Sequence, residues 1–226
     1  LAEKYVLPLC GNGKCDKAYP KNAEGGGFAK CEKDFEQVNL AIGFPSVSFD
    51  DDITAVQSVV SFCFGTGMSS RLFQRLRERQ GLVYNVYTSA STYKCNGNFG
   101  IYVNTSGGNL DKAVTSVAEE VRELMRGGLT AAEIARAKMQ LKSSMLFGIE
   151  NILSVMSACG KYALYTGKAY DIDENIRLVE NVTADDVAKF CSSGVFDKPV
   201  SMAYVGKKQF TESRDIYSDF ISALKA

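Results

Sequence analysis

Alternating apolar and polar positions predict four β-strands in this chain. In the first, Val38, Leu40, Ile42 and Phe44 alternate with smaller or polar residues until Pro45, which is the period of a half-buried strand. Two further runs are joined by a turn at 95–97, and a last run follows Pro199. These three strands are predicted at residues 83–93, 98–105 and 200–205.

From Asn109 the apolar residues repeat with a helical period instead. Val114, Val117, Val121 and Leu124 form one stripe, and Thr130 with Glu133 forms a capping box that opens a long helix. Acidic residues at 50–52 suit the N-terminus of an earlier helix. Helices are predicted at about 53–63, 70–81, 109–127, 130–146, 152–165, 173–180, 183–191 and 216–224.

The order of these elements predicts the fold class. Runs of strands and runs of helices are grouped along the chain and do not alternate strictly. Such grouping is typical of an α+β fold. We therefore expect an antiparallel β-sheet with helices packed on one face.

The first 34 residues have the composition of a tail and linker. Residues 12–27 are rich in Gly, Asn, Lys and Pro, which are residues of loops, so order is expected to begin at Phe35. The predicted division is a linker at 1–34 and one domain at 35–226. Because the chain starts at Leu1 and not at Met, we expect a processed or trimmed piece of a longer protein.

Composition excludes several kinds of function. The 226 residues include 26 Lys plus Arg and 26 Asp plus Glu, so the formal net charge is zero. Nucleic-acid binding depends on clustered positive charge, so no nucleic-acid partner is expected. The chain has no His, which excludes Ser-His-Asp and Cys-His catalysis and any metal site that needs imidazole. No run of eighteen apolar residues occurs, so no membrane span is predicted.

Seven cysteines are present, an odd number without a Cys-x-x-Cys pair. Two interpretations remain open. Cys10, Cys15 and Cys31 could contribute to a zinc site, or the cysteines are free thiols of a reducing compartment. Free thiols and the lack of a signal-peptide pattern favour a cytoplasmic protein.

The segment from Gly67 to Tyr84 contains the densest chemical information. It reads as a glycine hinge, a basic helix that Ser69 or Ser70 can cap, a stop at Gly81 and the start of a strand. Arg77 and Tyr84 lie on either side of the chain reversal at Gly81. The planar set of N–H donors of Arg77 and the phenolic O–H of Tyr84 can each hydrogen-bond to a carbonyl oxygen or an oxyanion. The alternative is that Arg77 only faces water at a helix end and Tyr84 only packs in a sheet.

Two charged neighbours of Arg77 have simpler interpretations. Arg71 follows Ser69 and Ser70 at the start of the helix, where we expect it to fix the glycine loop and the domain corner. Glu78 can pair with a neighbouring Arg on the surface, a contact of small energetic value.

This segment resembles the C-terminal half of the pitrilysin (insulinase-like) zinc metallopeptidases, closest to the branch of the mitochondrial processing peptidase. The resemblance rests on one contiguous block, which contains Gly-Met-Ser-Ser-Arg-Leu-Phe-Gln, then Leu-Arg-Glu, then Gly-Leu-Val-Tyr. It extends over about 35–206, with supporting residues at Glu36-Gln37, Gly97-x-Phe99, Glu133 and Lys138-x-Gln140-Leu141-Lys142. Residues 1–34 would then be the end of a preceding half and the linker between halves.

The resemblance implies a protein of two α+β halves that enclose an unfolded peptide and contribute different residues to the active site. In the family the N-terminal half binds zinc through an inverted His-x-x-Glu-His motif and a distal Glu. The C-terminal half contributes an Arg and a Tyr seven residues apart, which correspond to Arg77 and Tyr84 here. By this correspondence Tyr84 donates to the scissile carbonyl oxygen and Arg77 binds a nearby substrate carbonyl. Zinc would come from the other half, since this chain lacks the motif and binds no metal.

The expected function is therefore the substrate-binding, non-metal half of a zinc endopeptidase, inactive alone. Its partners would be an upstream zinc-binding half or a homologous subunit, together with a peptide substrate; a homo-oligomer is also possible. The alternative is a non-catalytic subunit or scaffold that binds a homologous partner chain. A peptide-binding module unrelated to proteolysis is a third option, and in each case an exposed sheet edge can add a peptide strand.

Overall fold

A computed structural model describes residue 4 and residues 25–49, 53–210 and 215–226. The predicted cap at 50–52, the Cys10 and Cys15 thiols and most of the predicted linker lie outside these residues. Five strands form one sheet: β1 (Gly27–Glu32), β2 (Gln37–Ser46), β3 (Val83–Thr92), β4 (Gly97–Ser106) and β5 (Ser201–Gly206). Their order in the sheet is β1-β5-β2-β4-β3.

Seven α-helices and one π-helix accompany the sheet within the described residues. The α-helices are α1 (Thr54–Gly65), α2 (Leu110–Gly127), α3 (Ala131–Gly148), α4 (Ile152–Thr166), α5 (Ile172–Asn181), α6 (Ala184–Cys191) and α7 (Ile216–Lys225). The π-helix spans Phe73–Arg79. The four strands and the helical segments expected from periodicity are thus all present, with bounds within a few residues of those predicted.

The α+β class is confirmed, with one parallel pair at the edge of the sheet. β2, β3, β4 and β5 pair antiparallel, whereas β1 pairs parallel with β5. The expectation that order begins at Phe35 was wrong, because β1 precedes it. β1 was not predicted because its sequence shows no alternation of large apolar and polar residues. Phe28 is partly buried, and the other residues of the strand are exposed. Its backbone pairing to β5 makes it a strand.

The core lies between one face of the sheet and the helices. The apolar residues of β2 are buried on that face, as their alternation predicted. Phe196 holds the centre, with its ring edge-on to Phe44 at 5.2 Å and to Phe99 at 5.3 Å between centroids. Such edge-to-face pairs add about 0.5–1.5 kcal/mol each beyond burial.

Helix ends follow the predicted capping chemistry at two places that position the site. The Thr130 hydroxyl accepts from the backbone N–H of Glu133, whose carboxylate accepts in return from the backbone N–H of Thr130, so the capping box is present. Gly81 has φ +61°, the left-handed conformation expected at the end of the basic helix.

Candidate functional site

The π-helix and β3 meet at a corner of the domain, and apolar side chains attach this corner to the core. Leu72 and Leu76 are fully buried and Phe73 nearly so, so one side of this helical segment faces the core. The backbone N–H of Gln80 donates to the carbonyl of Arg75, and that of Leu82 to the carbonyl of Leu76, at 3.1 and 2.8 Å. The chain therefore enters β3 through a hydrogen-bonded turn.

The start of this helix differs from the expected cap. The Ser70 hydroxyl donates to the carbonyl of Gly67 at 2.7 Å and closes the glycine turn, where Gly67 has φ +85°. The helix then widens to the π form, in which each backbone hydrogen bond spans five residues instead of four, and π turns occur frequently at functional sites. Periodicity does not distinguish a π-helix from an α-helix over seven residues.

Arg77 lies on the exposed side of the π-helix. Its guanidinium carbon stands 5.0 Å from the centroid of the Phe73 ring, and its backbone carbonyl accepts from the N–H of Gly81 at 3.2 Å. Among the described residues no carboxylate forms an ion pair with this guanidinium. Its N–H donors therefore remain free for a ligand.

Tyr84 is the additional residue of a β-bulge. Val83 pairs with Thr105 and Asn85 with Asn104, so Tyr84 has no partner position on β4. Its side chain is 53% exposed. Bulges re-aim side chains next to active sites, and this one presents the phenol to solvent at the beginning of β3.

Both predicted site residues thus lie on the two arms of one fixed corner. In the part of the chain that the structure describes, the two side chains form no ion pair, and the contact recorded for the Arg77 guanidinium is with the Phe73 ring. The roles that the resemblance implies for them remain predictions.

Arg71 is a structural residue of the corner, as expected, but the hydrogen bond that closes the glycine loop comes from Ser70. The Nε and Nη2 of Arg71 donate to Oε1 and Oε2 of Glu133 at 2.5 and 2.8 Å, and Glu133 also accepts from the Thr130 hydroxyl at 2.7 Å. The hydrogen bond from Arg71 is the largest of the effects that lower the pKa of Glu133 to about 2, against the opposing effect of burial. This contact ties the corner to the N-terminus of α3.

Arg75 forms a second ion-pair cluster that sequence reasoning missed. Its guanidinium donates to Glu119, Glu120 and Glu123 of α2 at 2.5, 2.7 and 3.1 Å. Glu78, expected to pair with an Arg, forms no ion pair among the described residues. The clustered glutamates of α2 were visible in the sequence, but only tertiary packing showed which Arg they meet.

The other face of the sheet, opposite the helical layer, is free of charge. Because side chains alternate between faces, the strand register places one set of residues there. None is Asp, Glu, Lys or Arg, although 23% of the chain is charged. They are Gly27, Ala29, Cys31, Gln37, Asn39, Ala41, Gly43, Pro45, Asn85, Tyr87, Ser89, Ser91, Asn98, Gly100, Tyr102, Asn104, Ser106, Ser201, Ala203 and Val205. We call this the open sheet face.

Two cross-strand rows give the open sheet face its chemistry. Asn39, Asn104 and Asn85 lie side by side, and the Asn104 side-chain Nδ2 donates to Oδ1 of the Asn39 side chain at 2.8 Å. In the next row Tyr102 and Tyr87 stack with centroids 4.9 Å apart. Amides and phenols hydrogen-bond to main-chain groups whatever the side chains of a peptide. An ordinary solvated surface carries interspersed charges, so this face is suited to a neutral or main-chain ligand.

The described residues do not fit a zinc site. The chain has no His, and within the part of the chain that the structure describes no three Cys, Asp or Glu side chains converge on one point. None of the described helices combines the length and apolar character that crossing a bilayer requires.

Fold and site define an α+β domain with an exposed Arg and an exposed Tyr at one corner and a sheet face whose strand residues carry no charge. Residues 10–141 match the family model of the Peptidase M16 inactive domain. The chain therefore belongs to the peptidase M16 family and represents its inactive, C-terminal domain. The resemblance inferred from residues 67–84 is confirmed.

Bacterial relatives carry the same domain. The chain is 32% identical over 171 residues to an uncharacterized zinc protease of Streptomyces coelicolor, covering 76% of this chain and 37% of that protein. It is 34% identical over 156 residues to an uncharacterized zinc protease of Bacillus subtilis, covering 69% and 38%. The chain thus spans less than half the length of these relatives.

Solved structures share the fold. A chain of complex III from Candida albicans superposes with a TM-score of 0.77 at 17% identity, covering 88% of this chain and 49% of that chain. A peptidase M16 inactive domain from Pseudomonas fluorescens superposes with a TM-score of 0.73 at 22% identity, covering 87% and 47%.

Proposed function

We propose that this chain is the substrate-binding, non-metal half of a zinc endopeptidase that acts on extended peptides and is inactive alone. The observation that carries the proposal is the corner itself, where Arg77 and Tyr84 are both exposed and Arg77 lacks an acidic partner among the described residues. The names of the bacterial relatives support the zinc-protease assignment. Zinc and the chemistry at the metal belong to the other half.

The two residues have different roles in this proposal. The Tyr84 hydroxyl donates a hydrogen bond to the scissile carbonyl oxygen. This hydrogen bond becomes stronger as the oxygen becomes an oxyanion. Arg77 donates to a neighbouring backbone carbonyl of the substrate and holds the peptide in register. An oxyanion donor typically contributes about 2.7–4 kcal/mol to transition-state stabilisation.

The chemistry of the open sheet face is a second argument that the substrate is an extended, unfolded peptide. Its Asn and Tyr rows offer donors and acceptors to the peptide backbone, and its Gly, Ala and Ser positions leave room for side chains. A wall without charge neither attracts nor repels charged residues of the substrate. Such a wall accepts many sequences, so selectivity would arise elsewhere.

Substitution of Tyr84 in the reassembled two-half enzyme tests the proposal. Tyr84→Phe is expected to lower kcat by about 100-fold or more while the unfolding free energy stays unchanged. Tyr93→Phe is the matched control, because Tyr93 is equally exposed but lies beyond the other end of β3. Unchanged kcat for Tyr84→Phe would remove Tyr84 from the mechanism.

A non-catalytic subunit is the second candidate. Its support is the similarity in fold to a chain of complex III. Under this alternative the chain binds a homologous partner, and Tyr84→Phe has no catalytic effect to measure. Failure to detect peptide cleavage with any zinc-binding partner would favour it.

We further propose a reducing compartment such as the cytoplasm. The support is the odd number of cysteines and the free thiols of Cys31, Cys63, Cys95, Cys159 and Cys191. Thiol titration of protein isolated from its native source under acid quench would show free thiols; disulfides there would contradict the proposal.

A further inference from the structure

α4 is attached to the domain by one side only. Its Tyr162 and Tyr165 rings stand edge-on to Phe49, each with centroids 5.1 Å away, and Lys161 lies over the Phe49 ring. The Tyr162 hydroxyl donates to the amide oxygen of Asn175 at 2.5 Å. These contacts leave every residue of α4 at least partly exposed.

The opposite side of α4 carries an apolar stripe. Leu153, Met156, Gly160 and Leu164 follow one another at spacings of three or four residues, so they line one face of the helix. Leu164 is 79% exposed, and among the described residues no atom lies within 4 Å of the place where a Cβ on Gly160 would stand. A glycine within an apolar stripe lets another backbone approach closely.

Further exposed apolar side chains lie at the end of α3 and in the turn that leads into α4. Phe147 and Ile152 are 71% and 82% exposed. We name the whole the α3–α4 apolar surface; it consists of Met139, Leu146, Phe147, Ile149, Ile152, Leu153, Met156, Gly160 and Leu164. Eight large apolar side chains expose on the order of several hundred Å², comparable to what one partner contributes to a stable protein–protein interface.

Charge is sparse along the same segment. From Met139 to Leu164 the charged residues are Lys142, Glu150 and Lys161; Lys142 is paired with Glu180, and Lys161 is engaged with the Phe49 and Tyr165 rings. Loss of charge and enrichment in Met and aromatic residues mark the core of an interface. A membrane-binding surface would instead carry Lys and Arg beside its apolar residues. The surface is therefore suited to a protein partner.

We infer that the α3–α4 apolar surface docks the zinc-binding half, with a helix of that half seated along the stripe at Gly160. This inference rests on the proposed function. More than half the length of the bacterial relatives lies outside the matched region, so a second body large enough to cover the surface exists in those proteins. A fixed partner of that size explains why so many apolar residues stay uncovered in this half.

Two substitutions test the docking site directly. Gly160→Arg places a long charged side chain within the stripe, and Leu164→Arg places one near its end; both positions are exposed in the described part of the domain. Leu178→Arg is the control, since Leu178 is a half-exposed helical leucine outside the surface. The probe is the zinc-binding half from the same organism, produced as a separate chain, with affinity measured by calorimetry.

The expected result is that Gly160→Arg and Leu164→Arg weaken binding by about 30-fold or more, while Leu178→Arg binds like the unmodified chain. Unchanged binding by both variants overturns the inference and leaves the proposed function intact if the assembled halves cleave peptide. Absence of both binding and cleavage by the unmodified chain overturns the inference and the proposed function together.

Measurements on the isolated chain test two other possible occupants of the α3–α4 apolar surface, a second copy of the chain and a membrane. A dimer in sedimentation velocity that Gly160→Arg converts to monomer would assign the surface to a second copy. Binding to phosphatidylglycerol vesicles that Leu164→Arg abolishes would assign it to a membrane. Either result overturns docking of the zinc-binding half, whereas a monomer that does not bind vesicles supports it.

Discussion

Arg71 and Glu133 form a two-pronged ion pair that joins the start of the basic helix to the N-terminus of α3. Nε–Oε1 and Nη2–Oε2 are 2.5 and 2.8 Å apart, and both side chains are largely shielded from solvent. The same carboxylate also closes the capping box with Thr130. One acidic side chain therefore stabilises a helix end and the corner that carries Arg77 and Tyr84.

Glu133→Gln is expected to lower the unfolding free energy by about 2 kcal/mol. Gln has nearly the same volume as Glu but lacks the negative charge that pairs with Arg71. It also weakens the capping box with Thr130. Urea denaturation of the isolated chain measures the change. Glu78→Gln, an exposed glutamate without an ion pair among the described residues, is the control and should stay within about 0.5 kcal/mol.

Acidification should reduce the stability that Glu133 provides. Its pKa lies near 2 in the folded chain, below its ordinary value of 4.5, chiefly because of the hydrogen bond from Arg71. A depressed folded-state pKa means that the contribution is present above pH 4.5 and is lost as the pH falls from 4.5 towards 2. The stability difference between the unmodified chain and Glu133→Gln should shrink across that interval. A difference that stays constant between pH 7 and pH 3 would contradict this assignment.

The thiols should fall into two groups of reactivity. Burial raises the pKa of Cys63 to about 12, with a further contribution from Glu133, and burial raises that of Cys191 to about 11. Cys31 and Cys159 are exposed. Because the thiolate is the nucleophile, iodoacetamide at pH 7.5 should label the exposed pair first and the buried pair only after denaturation. Mass spectrometry of timed samples checks the order, and early labelling of Cys63 would disprove it.

Arg77→Lys in the reassembled enzyme should lower kcat/KM by about 10-fold or more. Lysine keeps the charge but cannot offer the planar fork of donors that holds a carbonyl in a fixed direction. The chain should remain as stable as before, because Arg77 is exposed. Arg79→Lys, at an exposed neighbouring position, is the control. Equal losses for both variants would indicate a general effect of charge geometry on the helix and not a role of Arg77.

Local signals allowed much of this fold to be predicted. The alternation around Val38 and Phe44, the capping box at Thr130 and the left-handed glycine at Gly81 depend on residues close together in the chain. Such patterns express backbone preferences and burial of one face, so they survive without knowledge of the remaining structure. The contiguous block from Gly67 to Tyr84 also indicated the family before any fold was known.

Tertiary structure alone decided the rest, because those features depend on distant segments. β1 is a strand only through its pairing with β5, more than 170 positions away in the sequence. Strand register assembled Asn39, Asn85 and Asn104 into one row and left the open sheet face without charge. Packing between helices selected Glu119, Glu120 and Glu123 as partners of Arg75, and the described residues leave the stripe of α4 exposed. A local pattern states that a face is apolar, but only the neighbours in space determine whether that face is buried or remains available to a partner.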